Sequence, residues 1–564
     1  MSVPVASPSR PSIRSVDYRF QPAPPAVHRS QERSGWFYPA LIILWAGLLL
    51  IPNVQNTSNP GQGDEVMHIA TVHDSLDSGS ILYPELNGFI NFYKPPLMFW
   101  LASGFEELSG WIGLEEGLLG ERFVSILSSA VAGLLIYQIL ILYRRAPREA
   151  FFWSILYLST LGVLKFARLL MFEQIMAAHV LGAMYVFALW LNRGGSARLL
   201  LLGLLVGSSY LYKGALVPIY LVLGLAVWTV MEFHRTGRRF TLDLNTKAAL
   251  PVIRSGFIVG LAAAIPIALY AIYVMNHPRG QDLLNYFLVF ENAAKFVDKN
   301  QSEWLLFQGI LLYALPWTPL LLASLYGLFR RPGLKTPARQ FAILATVAFV
   351  AILLFHLIPH RKADYYMLPL FGLLFVAAGL SRPSGIKSTN ALVLTLSILS
   401  GLALAYMESW LALLAMLIPA SLALHALVKR PDFDWGGLLP GLAFAALLPV
   451  TVFPALFPPV LGNADRAMLA GRSVCVISEN PWSALSYRAV VSDAKMIHRH
   501  PDLAGECAGQ DYIIEHDPTS DIPRSYSLVS TYPVWKEADF STYLNNILEP
   551  EKIQRRRSLY VNAP

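Results

Sequence analysis

Apolar runs of 14 to 26 residues, separated by short polar connections, recur along the chain from residue 36 to residue 457. They lie at about 36–54, 121–143, 150–167, 174–191, 199–212, 215–232, 254–275, 304–329, 339–357, 365–380, 390–407, 410–428 and 436–457. A helix needs about 20 apolar residues to cross a bilayer. The pattern therefore predicts a polytopic α-helical membrane protein with about 13 transmembrane helices. Segment 97–112 reads as a further span or as a helix lying at the interface. Residues 1–35, rich in Pro, Ser and Arg, have no apolar periodicity and are expected to form a disordered cytoplasmic tail rather than a signal peptide. Beyond residue 461 the pattern changes. Short apolar runs at 474–478, 487–491 and 512–515, set between polar helical stretches, predict a small α/β domain over 462–564. The membrane domain is then 36–461, with a long first outer loop at 55–120.

Charge orients the spans. Alternate connections hold Arg144, Arg145 and Arg148, then Arg193 and Arg198, then Arg235, Arg238, Arg239 and Lys247. The series continues with Arg330, Arg331, Lys335 and Arg339, with Arg382 and Lys387, and with Lys429 and Arg430. By the positive-inside rule these connections and the N-terminus are cytoplasmic. An odd number of spans then puts the C-terminal domain outside. The net charge of +7 is accounted for by these clusters, so it implies no nucleic-acid partner. At 55% hydrophobic and 14% charged residues, the composition excludes a soluble enzyme. The chain has two cysteines, Cys475 and Cys507, both in the last region. A disulfide on an oxidising face and a pair of buried thiols both fit the sequence.

The outer connections carry residues that topology does not require. The first loop opens on Asp64-Glu65 and closes on Tyr93-Lys94-Pro95-Pro96-Leu97, where the prolines stop regular structure at the point of re-entry. Lys94 there can meet a lipid phosphate or snorkel to the interface. Glu173 begins an otherwise apolar span and follows Arg168, and Lys213 stands between two apolar runs. A carboxylate at that depth faces a polar cavity or a partner. Leu315-Pro316-Trp317-Thr318-Pro319 is expected to bend its span. His360-Arg361-Lys362 and Tyr365-Tyr366 crowd one outer mouth with cations and phenols, against the charge trend, as an anion site would. A divalent metal ion is left open: His68, His73 and Asp74 can be ligands, but the i, i+5 spacing does not align the two histidines on a helix.

Asp64-Glu65, Lys94-Pro95-Pro96-Leu97, Lys213-Gly214 and Lys362-x-x-x-Tyr366-x-Leu368-Pro369, in this order, resemble the GT-C membrane glycosyltransferases. The nearer resemblance is to the lipid A aminoarabinose transferases, with the protein O-mannosyltransferases as wider kin. It implies a GT-C fold and transfer of a sugar from an undecaprenyl-phosphate donor to lipid A or another envelope glycolipid. The setting implied is the periplasmic face of a bacterial inner membrane, among membrane lipids. Asp64 is then the general base or acceptor-orienting group, and Glu173 the second acidic catalytic residue. Lys94, Lys213, Arg168, Arg361, Lys362 and Tyr366 are expected at the donor phosphate, and Glu65 and Tyr93 at the acceptor or sugar. Tyr93 departs from the family, which has Glu directly before Lys-Pro-Pro, so specificity is expected to differ. A protein O-glycosyltransferase, a transporter of a lipid-linked substrate and a catalytically silent relative are the competing expectations.

Overall fold

The computed structural model describes residues 35–54, 63–86, 89–91, 94–113, 118–235, 246–286, 300–330, 336–381, 383–429, 435–456, 461–491, 493–519, 521–535 and 554–562. Residues 1–34 of the expected tail, part of the first loop and Tyr93 lie outside the described residues.

Every apolar run of the sequence falls in helix. Seven helices among the described residues are long and apolar enough to cross a membrane. An eighth is the pair Trp304–Tyr313 and Thr318–Arg330, bent by 104° at the Pro316–Pro319 segment as its prolines predict. Phe37–Leu50, Leu216–Trp228 and Asp364–Gly379 are apolar but shorter. The run at 150–167 is broken into Pro147–Leu158 and Leu161–Phe166, because Thr160 caps the second helix through its side chain. Helix Leu97–Trp111 has 15 residues, about 22 Å, too short to span. It buries Met98, Phe99 and Ala102 and leaves Trp111 exposed, as an interfacial helix does.

The bundle has two kinds of apolar surface. Trp153, Trp317, Phe371 and Phe375 fill its interior, fully buried. Thr246–Met275 and Trp410–Lys429 instead point Phe257, Leu261, Leu411 and Leu414 outward. In water that surface would be untenable; against lipid it is not. Ser196–Ser208 meets Thr246–Met275 backbone to backbone at Gly203 and Gly207, where any Cβ would collide with the carbonyls of Val259 and Ala263. Such close approach is how helices gain contact in a medium as apolar as themselves.

Beyond the bundle lies a five-stranded mixed sheet, in the order Lys495–Arg499, Ser473–Ile477, Tyr512–Glu515, Gln554–Asn562, Tyr526–Trp535. The first three strands are parallel and the last two run antiparallel to their neighbours. Cys475 and Cys507 form a disulfide between strand Ser473–Ile477 and the 3-10 turn Pro501–Cys507. Arg488, at the end of helix Trp482–Arg488, pairs with Asp74 of the first-loop helix and so fastens the sheet to the bundle.

Candidate active site

The first-loop helix, Gly63–Asp77, starts with both acids in its first turn, where the helix dipole favours them. Glu65 is fully buried. Its carboxylate accepts Arg122 Nε at 2.8 Å, Arg122 Nη2 at 3.1 Å and the Leu170 amide at 2.8 Å, while Arg122 Nη1 donates to the Val54 carbonyl at 2.9 Å. This knot joins the helix to three other parts of the chain. One residue earlier, Asp64 stays exposed. Four residues on, His68 donates Nδ1–H to the Leu170 carbonyl at 2.9 Å and packs edge-on against Phe99 and Phe172. Burial pushes His68 down to about 4, so it is neutral with Nε2 as a bare acceptor.

Glu173 opens helix Phe172–Arg193 and is buried to 1% exposure. Lys213 Nζ donates to its Oε1 at 3.0 Å, and its buried Oε2 has no hydrogen-bond partner among the described residues. Lys213 ends the one-turn helix Tyr210–Lys213, which Gly214 terminates at φ 62°, a left-handed value that suits glycine. Around this pair the charges converge. Asp64 lies in electrostatic range of His68, Lys213 and Tyr365; Lys94 in range of His68; Tyr366 in range of Lys213. Asp64, Lys94, Glu173, Lys213 and Tyr366 therefore share one polar region, drawn from five separate stretches of sequence.

Other expected residues are placed differently. Glu65 is committed to Arg122 rather than offered to a sugar or acceptor. Arg168 is 8% exposed, donates to the Leu50 carbonyl at 3.3 Å and lies over the Phe453 ring, a bundle-closing position. Lys362 is buried against Gln301 and Glu303, with Nζ at 3.3 Å and 3.4 Å from their oxygens. Arg361 is exposed on the same segment. The three suspected metal ligands do not converge, since His68 turns to Leu170 and Asp74 to Arg488. His73 alone of them joins a candidate metal cluster, with Glu106 and Glu121.

Two residues not anticipated from sequence complete the region. Tyr220 and His356, both buried, share a 2.6 Å hydrogen bond, and Tyr220 lies in electrostatic range of Glu173 and Tyr366. A polar histidine inside the apolar run at 339–357 was the available signal. Tyr220 also lines an apolar cavity that runs between Val180, Trp190, Leu202, Trp228 and Ile352. Tyr220 thus links that cavity to the charged region electrostatically.

Comparisons with known proteins agree with this architecture. Residues 93–253 match the dolichyl-phosphate-mannose-protein mannosyltransferase family. The undecaprenyl phosphate-alpha-4-amino-4-deoxy-L-arabinose arabinosyl transferase 1 of Sodalis glossinidius is 26% identical over 340 residues, 58% of this chain and 56% of that protein. The corresponding Yersinia enterocolitica transferase is also 26% identical, over 342 residues and the same shares of both chains. The chain thus spans about half the length of the curated relatives it matches. The crystal structure of ArnT from Cupriavidus metallidurans bound to undecaprenyl phosphate superposes with a TM-score of 0.61 and 16% identity, covering 94% of this chain and 98% of that one. The chain has the GT-C membrane fold and, in sequence and architecture alike, resembles the aminoarabinose transferases.

Proposed function

We propose that the chain is a glycosyltransferase that takes a sugar from a polyprenyl-phosphate carrier and passes it to a lipid acceptor at the Asp64 end of the bundle. The observation that carries this reading is the buried Glu173–Lys213 pair beside Asp64, in electrostatic range of Tyr220 on the wall of an apolar cavity. An isoprenoid tail fits the cavity chemistry, and the cations of the charged region suit a phosphate. As the phosphate leaves, Lys94 and Lys213 offset its growing charge, and Glu173 holds Lys213 in place. Exposed Asp64 is free to take the acceptor proton. The relatives named above act on undecaprenyl-phosphate aminoarabinose, which supports this donor class.

The Asp64 end is read as periplasmic and the basic connections as cytoplasmic, with all 13 apolar runs crossing. Contacts between helix ends fit this sidedness. Arg145 meets Ser381 at one end of the bundle, while Leu50, Arg122, Arg168 and Phe453 gather at the other. The 462–564 region is read as a separate periplasmic domain.

The test is transfer in membranes from a radiolabelled undecaprenyl-phosphate sugar, with lipid A and envelope protein as rival acceptors. Asp64→Asn is expected to abolish transfer. Lys213→Ala should lower the rate about 10²–10³-fold, the usual loss for one preorganised charge contact. Label in protein rather than lipid would favour an O-glycosyltransferase. An Asp64→Asn protein with full activity ends the proposal.

A further inference from the structure

We propose that His73, Glu106 and Glu121 bind one divalent transition-metal ion of the zinc type, apart from the Glu173–Lys213 region. The three come from the first-loop helix, the interfacial helix Leu97–Trp111 and the first turn of Leu119–Leu142. One ligand atom from each lies within 4.8 Å of the other two. Zinc bonds of about 2.0–2.1 Å put tetrahedral ligands about 3.4 Å apart, so closure needs only a side-chain adjustment of half-buried Glu106.

The buried donor atoms argue for an ion. Glu121 has no solvent exposure; His73 Nε2 meets its Oε1 at 2.7 Å, and its buried Oε2 has no hydrogen-bond partner among the described residues. The Glu106 carboxyl faces it closely, and Asp77 lies within electrostatic range of His73. The guanidinium groups nearby are engaged elsewhere, Arg122 with Glu65 and Arg488 with Asp74. Two carboxyl groups thus face one imidazole across one small space, a donor set that a divalent cation bound by all three would satisfy. One nitrogen and two carboxylate ligands suit zinc, whereas calcium and magnesium prefer oxygen alone. The partial exposure of Glu106 leaves a coordination position for water.

The ion would staple the helix that carries Asp64 to two neighbours, nine residues along from Asp64 itself. Its role is positioning, and the proposal stands whether or not the transferase reading does.

The experiment uses the full-length protein in detergent, stripped with a chelator, reloaded with Zn²⁺ and desalted. Elemental analysis should find about one equivalent in the wild type. It should find less than a tenth of that in His73→Ala and in the isosteric Glu106→Gln, with Asp64→Asn unchanged. Co²⁺ loaded into the unaltered protein should give the intense visible bands of a four-coordinate site, so the result does not depend on variants that fold. Wild type that retains no zinc, variants that keep it, or a six-coordinate Co²⁺ spectrum would each overturn the proposal. The cluster would then be a carboxyl pair sharing a proton.

Discussion

Glu65 and Arg122 carry the clearest division between a catalytic and a structural acid. Breaking a buried, fully hydrogen-bonded pair by removing one partner costs about 3–5 kcal/mol. Arg122→Met is therefore expected to lower the thermal midpoint sharply in detergent, while Glu65→Leu with Arg122→Met together recovers most of it. If the double variant also keeps transfer activity, Glu65 has no contact with sugar or acceptor. From sequence, Asp64 and Glu65 look alike; only the partner 57 positions away separates them. His68 adds a pH signature. An unfolded chain takes up a proton below its ordinary 6.5, and the folded one refuses it until about 4. Stability is then full above pH 6.5 and falls by up to about 3 kcal/mol toward pH 4. Midpoints recorded across that range should show a shallower slope for His68→Gln; parallel profiles would contradict the assignment.

Helices were readable because lipid demands continuous apolar runs, and each run became helix. Their breaks were less so. Pro316 and Pro319 announce a bend, but Thr160 interrupts a uniform run only because its hydroxyl caps Val163 at 3.3 Å. The partner of each helix was also hidden. Gly203-Leu-Leu-Val-Gly207 is visible as small residues one turn apart, yet nothing local says that they face Val259 and Ala263. Gly207→Leu should force Ser196–Ser208 off Thr246–Met275, and overpacking of that kind costs about 1–3 kcal/mol or more. The same change at Gly224, which has open space around it, should leave the midpoint unaltered.

At the scale of the molecule, the polar region was legible as a list and not as a place. Asp64, Lys94, Glu173, Lys213 and Tyr366 were picked out one by one as residues misplaced at a bilayer edge, and the fold gathers them. Lys362 and Arg168 obeyed the same rule but answer to local partners, a distinction that needs distances. The Cys475–Cys507 bond closes a separation of 32 residues, and losing such a bond typically costs about 2–4 kcal/mol. Cys475→Ser is expected to expose the sheet to protease while helical circular dichroism persists.

The Arg488–Asp74 clasp ties the C-terminal sheet to the helix that carries Asp64. Any graft that exchanges the C-terminal region for a relative's must bring a guanidinium to the same spot. Otherwise Asp74 is stranded about three turns along its helix from Asp64, and a swap meant to alter solubility would disturb the proposed site instead.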